Sequence, residues 1–258
     1  MPPIREARMP LMDHLGELRR RLLISVVCLL IAACVLYLAT PQLIQFLLEP
    51  ISPFLEAAGA ESLYVTDPLG GFTIRFKVSI FAAFIMTAPV WLWQIFAFFL
   101  PALRDNERKW VIPTFIVGVI LFVIGMVFCY FIILRPAFQW MLAQTADIAI
   151  ALPTANEYLK LIMLFEVGFG LAFELPLVVF YLTVFNIVPY KKLRASWRIV
   201  YIVLMVVSAM ITPDASPVTM LLMFAALAGL YEVSLAVART VLARRIAAEK
   251  ETALAERA

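Results

Sequence analysis

The chain of 258 residues is poor in the groups that carry chemistry, with a single histidine, three cysteines and only 15% Asp, Glu, Lys or Arg. It has no Walker-type phosphate loop, no HExxH pair and no cysteine-rich ligand set, so an ATPase or a membrane protease has nothing to work with. His14 reads as an interfacial side chain. Cys28, Cys34 and Cys129 fall inside apolar runs without paired ligand spacing and are expected to be buried small hydrophobes. No catalytic residue, cofactor, metal or nucleic-acid partner is expected, and no internal repeat is visible.

Apolar residues dominate instead, at 64% with a mean hydropathy of +0.96, against about 45–50% apolar in soluble domains. Lipid cannot satisfy backbone polar groups, so the runs must be helices or a closed barrel. Continuous stretches of about 20 apolar residues, rather than alternation, select helices. The expected fold is an all-α polytopic membrane protein with six transmembrane helices, both termini on the cytoplasmic side and the last two spans short.

Leu11, Leu15, Leu18 and Leu22 recur at helical spacing, with Asp13, Glu17, Arg20 and Arg21 on the wetter side. This predicts a short amphipathic helix along the interface. Leu22 to Ala39 is the first span, too long and too late for the roughly 7–15-residue apolar region of a cleaved signal peptide. Thr40 to Gly71 has no Lys or Arg and is assigned outside, as helical pieces folded back over the bundle. The second run, Phe72 to Leu100, is expected to bend at Pro89, with Arg75 and Lys77 snorkelling to water.

QIFAFFLPALRDNERKWVIP, Gln94 to Pro113, then joins the second span to the third, Trp110 to Leu134, by a tight charged loop. Arg135 to Asn156 returns outside, and the fourth span, Tyr158 to Phe185, holds Glu166, Glu174 and Pro176. Two runs of roughly 14 residues, Ile199 to Ile211 and Val218 to Tyr231, reach only about 21 Å each. With six spans, 17 of the 21 Lys and Arg lie on one side, which sets orientation. Residues 1–238 read as one transmembrane domain and 239–258 as a basic helical tail.

Glu174 is costly inside a span. Its bland role is an acid hydrogen-bonded to a neighbouring helix. Its functional role is a polar contact for another transmembrane helix or a wet spot in the bilayer, and a proton-coupled small-solute carrier using Glu174 is the alternative function. Glu17 and Glu107 are acids on a face of cations. Local pairing, Glu17 with Arg21 or Glu107 with Arg108, explains them simply.

HLGELRRRL (14–22), PVWLWQIFAFFLPALRDNERK (89–109), GMVFCYF (125–131), FGLAFELP (169–176) and ITPDASP (211–217) together resemble the TatC family, the multispanning core of the twin-arginine protein translocase. The resemblance runs from about Pro10 to Arg239. It implies a receptor for the paired arginines of signal peptides on folded precursors, and an assembly core without catalysis of its own, powered by the proton gradient. It places recognition on Glu17 and Glu107, with Leu18 and Arg19 supporting the first and Phe98 and Pro101 shaping the second. Pro50 and Asp214 become outer-loop structural positions, and Glu174 the contact for single-span TatA-type and TatB-type partners. An oligomeric complex in the bacterial cytoplasmic membrane, rather than the thylakoid, is implied. Glu166 stands where the family pattern suggests an apolar residue, and 225–229 lacks a proline common in the last span.

Overall fold

Backbone amides in hydrocarbon must bond to one another, and this chain meets that demand almost entirely with helices. The computed structural model describes residues 11–57, 63–99, 111–146, 154–184, 188–212 and 216–241. Among them the one β feature is an isolated parallel bridge between Tyr64 and Thr154.

Helix α1, Leu11–Leu36, runs unbroken for 26 residues, about 39 Å. The expected division into an interfacial helix and a separate span is therefore corrected. No proline or glycine follows Gly16 within it, so nothing interrupts the hydrogen-bond ladder. The expected orientation holds only in part, since Arg20 of the wetter side is exposed whereas Glu17 and Arg21 are not. Leu15, Leu18 and Leu22 are exposed at 58%, 43% and 63%, while Glu17 and Arg21 are half-buried toward the rest of the body.

A 3-10 turn, Tyr37–Ala39, leads into α2, Thr40–Leu48, then a second 3-10 turn, Glu49–Ile51, and α3, Ser52–Ala57. Pro41 and Pro50 occupy first-turn positions, where a missing N–H costs little. Leu47 and Ile51 are buried in the main core, as expected of segments folded back over the bundle.

Helices α4, Gly70–Met86, and α5, Ala88–Phe99, meet at a bend of 54°. Pro89 has no N–H to offer the preceding turn. The Thr87 hydroxyl donates to the Ala83 carbonyl at 2.7 Å at the bend. Lys77 does not snorkel freely: its Nζ donates to Asn156 Oδ1 at 2.8 Å. The Ala155 amide meets the Tyr64 carbonyl beside it, tying two connecting segments together.

Helix α6, Val111–Phe128, passes through a π-turn, Cys129–Ile133, into α7, Leu134–Ala146. The third run does not end near Leu134. Leu134, Ala137 and Phe138 are buried, so core packing carries the helix onward. Helices α8, Ala155–Ala172, and α9, Leu175–Val184, are separated by a turn at Phe173 and Glu174.

After α10, Tyr190–Ala195, come α11, Trp197–Ile211, and α12, Pro217–Val241. Only α11 is short, with 15 residues, about 22 Å. The last helix has 25 residues, because its ladder continues through Glu232 and Ser234 beyond the apolar run. The Ser234 hydroxyl donates to the Pro176 carbonyl and Arg194 pairs with Glu232, anchoring that extension. Among the described residues four helical stretches are long and apolar enough to cross a membrane, or five with the bent α4–α5 pair, and α11 falls below that length.

The main core joins α2, α4, α8 and α12 around Phe165, Phe169, Ile162, Met223 and Leu227. A second cluster of Ala88, Leu92 and Phe122 seats α5 against α6. Of the three cysteines only Cys129 is buried. Cys34 is exposed on α1, correcting the expectation for it.

Two glycines on α6 make a direct test of this packing. A Cβ at Gly125 would lie 2.7 Å from the Phe169 carbonyl and 2.8 Å from the Phe173 ring, whereas one at Gly118 would lie 3.2 Å from the end of the Glu174 side chain. Gly125→Ala should therefore cost about 1–3 kcal/mol and lower the melting temperature in detergent by several degrees. Gly118→Ala should leave it nearly unchanged, because a carboxyl end can rotate away.

Candidate functional site

Glu17 stands on the inward face of α1, four residues before Arg21, where helical spacing brings the two side chains together. Arg21 Nη2 and Nε both donate to Glu17 Oε1, at 2.5 and 3.1 Å. Arg21 Nη1 also donates to Gln94 Oε1 on α5, at 3.3 Å. Both partners of the ion pair remain partly exposed, at 24% for Glu17 and 22% for Arg21. They border a recess of about 210 Å³ lined by Glu17, Arg20, Arg21, Ile24 and Gln94.

Gln94 lies near the end of α5, which closes at Phe99. The recess therefore occupies the end of the body from which residues 100–110 depart. Leu18 and Arg19 are exposed beside it, and Phe98 is half-buried on α5. Glu107 and Pro101 lie outside the described residues, as does Asp214. The local pairing expected of Glu17 is present. Gln94 was not singled out from the sequence, although a lone amide within WLWQIFAFF was a visible signal.

On the opposite end, Pro50 is buried in its 3-10 turn. Next to it the Tyr130 hydroxyl donates to the Phe46 carbonyl at 2.7 Å and to Glu49 Oε2 at 3.1 Å. Tyr130 also stacks on Phe46, with ring centroids 4.7 Å apart. Sequence reasoning gave Tyr130 no role, since the folding back of α2 alone creates its partners.

Glu174 lies at the turn between α8 and α9, with its carboxyl over Gly118 of α6. Its Oε1 is buried without a hydrogen-bond partner among the described residues. That differs from the bland expectation of an acid bonded to a neighbouring helix. Glu166, two turns earlier, faces a different wall near Cys129, so the two acids do not share a site. Among the described residues no group of three or more His, Cys, Asp or Glu could hold a metal.

These features define a polytopic helical membrane protein with a polar recess at one end and isolated carboxyls within its apolar body. The family model for the Sec-independent protein translocase protein TatC matches residues 13–225, and the chain belongs to that family. Relatives of that name include one from Frankia casuarinae, 36% identical over 242 residues, covering 90% of this chain and 66% of the relative. The protein from Deinococcus radiodurans is 33% identical over 246 residues, covering 95% and 90%. This chain thus spans just under two thirds of the Frankia protein's length. A crystal structure of the twin-arginine translocase receptor TatC superposes with a TM-score of 0.72 at 30% identity, covering 88% of this chain and 98% of that one. A second, in dodecyl maltoside, gives 0.73 at 31%, with coverage of 87% and 99%. TatC proteins are translocase components rather than enzymes.

The partly exposed Glu17–Arg21 pair should contribute little to stability. Glu17→Gln is expected to change the free energy of unfolding by under about 1 kcal/mol, with a melting temperature in detergent close to that of the parent.

Proposed function

We propose that this chain is the signal-peptide receptor and assembly core of a twin-arginine translocase, with Glu17 and Glu107 receiving the paired arginines of folded precursors. The observation that carries this reading is the half-open recess around Glu17, held by an exchangeable ion pair at the end of the body where residues 100–110 leave α5. An arriving guanidinium can take over the contact that Arg21 makes, since an exposed helical pair is worth only about 0.3–0.5 kcal/mol. The planar fork of arginine matches a carboxylate bidentately, which a lysine ammonium cannot do. Surrounding cations, Arg19 and Arg20 among them, repel chains that are merely basic. The exposed Leu15, Leu18 and Leu22 offer apolar surface for the hydrophobic part of a signal peptide.

In this reading the body has six spans with both termini in the cytoplasm of a bacterial cell, α11 is the short fifth span, and 239–258 form a basic tail. Glu174, Pro50 and Asp214 serve contact and structural roles, and TatA-type and TatB-type single-span proteins complete an oligomeric complex. Membership of a translocase family leaves the small-solute carrier built on Glu174 without a supporting observation.

Site-directed crosslinking of a twin-arginine precursor to the full chain in membranes tests the assignment. Glu107→Lys and Glu17→Ala should each lower the yield by about tenfold or more, the scale of losing one charge-assisted hydrogen bond. Undiminished crosslinking in both variants, with normal membrane insertion, overturns the reading.

A further inference from the structure

A second polar recess, of about 500 Å³, lies between α10 and the end of α12. Two guanidiniums line it, Arg194 from α10 and Arg239 from α12. Glu232 is the acid in its wall, and its carboxylate is already engaged. Arg194 Nη1 donates to both of its oxygens, at 3.0 and 2.8 Å, and the Tyr201 hydroxyl donates to Oε1 at 3.0 Å. Arg239 makes no ion pair or hydrogen bond among the described residues. Two cations against one acid leave the recess with a positive charge in excess, and that charge is accessible. The Arg194 side chain is 56% exposed and Arg239 is exposed beside it.

The level of the recess selects the anion. The apolar run of α12 from Pro217 to Tyr231 has 15 residues, about 22 Å of a hydrocarbon core about 30 Å thick. The recess is built on the two turns that follow. Val233 and Val237, 60% and 47% exposed, are helical neighbours of Ala236 and Thr240 in its wall. Acyl chains lying along these valines therefore end beside Arg239. At the start of α11, Trp197 is 46% exposed. The Arg198 guanidinium lies 5.4 Å from its ring centroid and the Tyr201 ring 5.6 Å away. Such aromatic rings are enriched where headgroups meet hydrocarbon.

A soluble anion would use the guanidiniums alone, whereas a phospholipid uses both the cations and the valines. We propose that the recess between α10 and α12 seats the headgroup of an anionic phospholipid, its phosphate paired with Arg239 and Arg194 and its acyl chains lying along Val233 and Val237. This inference uses neither Glu17 nor Glu107 and stands apart from signal-peptide reading.

Native mass spectrometry of the full chain in detergent, titrated with dioleoyl phosphatidylglycerol or dioleoyl phosphatidylcholine, tests it through the dissociation constant of the first lipid bound. Phosphatidylglycerol should bind about fivefold more tightly, the scale of one cation at a membrane surface. Arg239→Gln should remove that preference. Lys160→Gln, which takes away an exposed cation near the start of α8, should keep it. An equal concentration of inorganic phosphate should not displace the lipid, since it has no chains to bury. Equal binding of the two lipids overturns the proposal, as does a preference that survives Arg239→Gln, one lost equally in Lys160→Gln, or displacement by phosphate. Should Arg239→Gln fail to fold, Ala236→Glu decides: a carboxylate added to the wall should abolish the preference, and an unchanged preference overturns the proposal.

Discussion

Every polar group that enters the hydrocarbon must find its partner within the protein or in another helix, because lipid provides neither donors nor acceptors. The buried hydroxyls obey this rule locally. Thr87 donates to Ala83, Ser208 to Leu204 and Thr212 to Ser208, each to a carbonyl one turn back. Ser234 reaches across instead, bonding the Pro176 carbonyl and fastening α12 to α9 near the turn that carries Glu174. The two intramembrane acids do not follow the pattern. Glu166 and Glu174 each keep a buried oxygen without a hydrogen-bond partner among the described residues.

The same constraint shapes the spans. Pro89 removes one donor, and the helix answers with the 54° bend between α4 and α5 instead of an orphaned carbonyl in lipid. The π-turn at Cys129–Ile133 widens the ladder by one residue without breaking it. It brings Cys129 to Glu166 and Tyr130 to the folded-back α2, so one local irregularity shapes two walls of an apolar groove.

At the other end the chemistry is wet and exchangeable. Arg21 bridges Glu17 on its own helix and Gln94 on α5, holding α1 against the end of the bent span. A contact of this kind positions a carboxylate without consuming it. Solvent screening keeps the internal pair weak, so a better-matched guanidinium competes on nearly equal terms. The outward stripe of leucines on α1 lies beside this polar recess, placing apolar and charged surface on one helix.

Much of the architecture was legible in the residues. The helical class, the bend at Pro89, the folding back of Leu47 and Ile51 and the pairing of Glu17 with Arg21 all depend on local spacing, which the chain carries at every position. Helix ends were less legible. Apolar runs stop where side chains change character, but helices stop where hydrogen bonding or packing fails, so α7 and α12 continue past Leu134 and Tyr231.

Which face of α1 turns inward was decided only by the partner helix, because in lipid the leucines gain nothing by hiding and the charged side chains gain Gln94. Likewise the sequence by itself determined that Glu166 would be an oddity. Only the tertiary structure set it beside a groove, since the walls come from segments as far as 80 residues apart in the chain, such as Leu47 and Val127. Local spacing specifies elements, whereas a cavity exists only after distant elements meet.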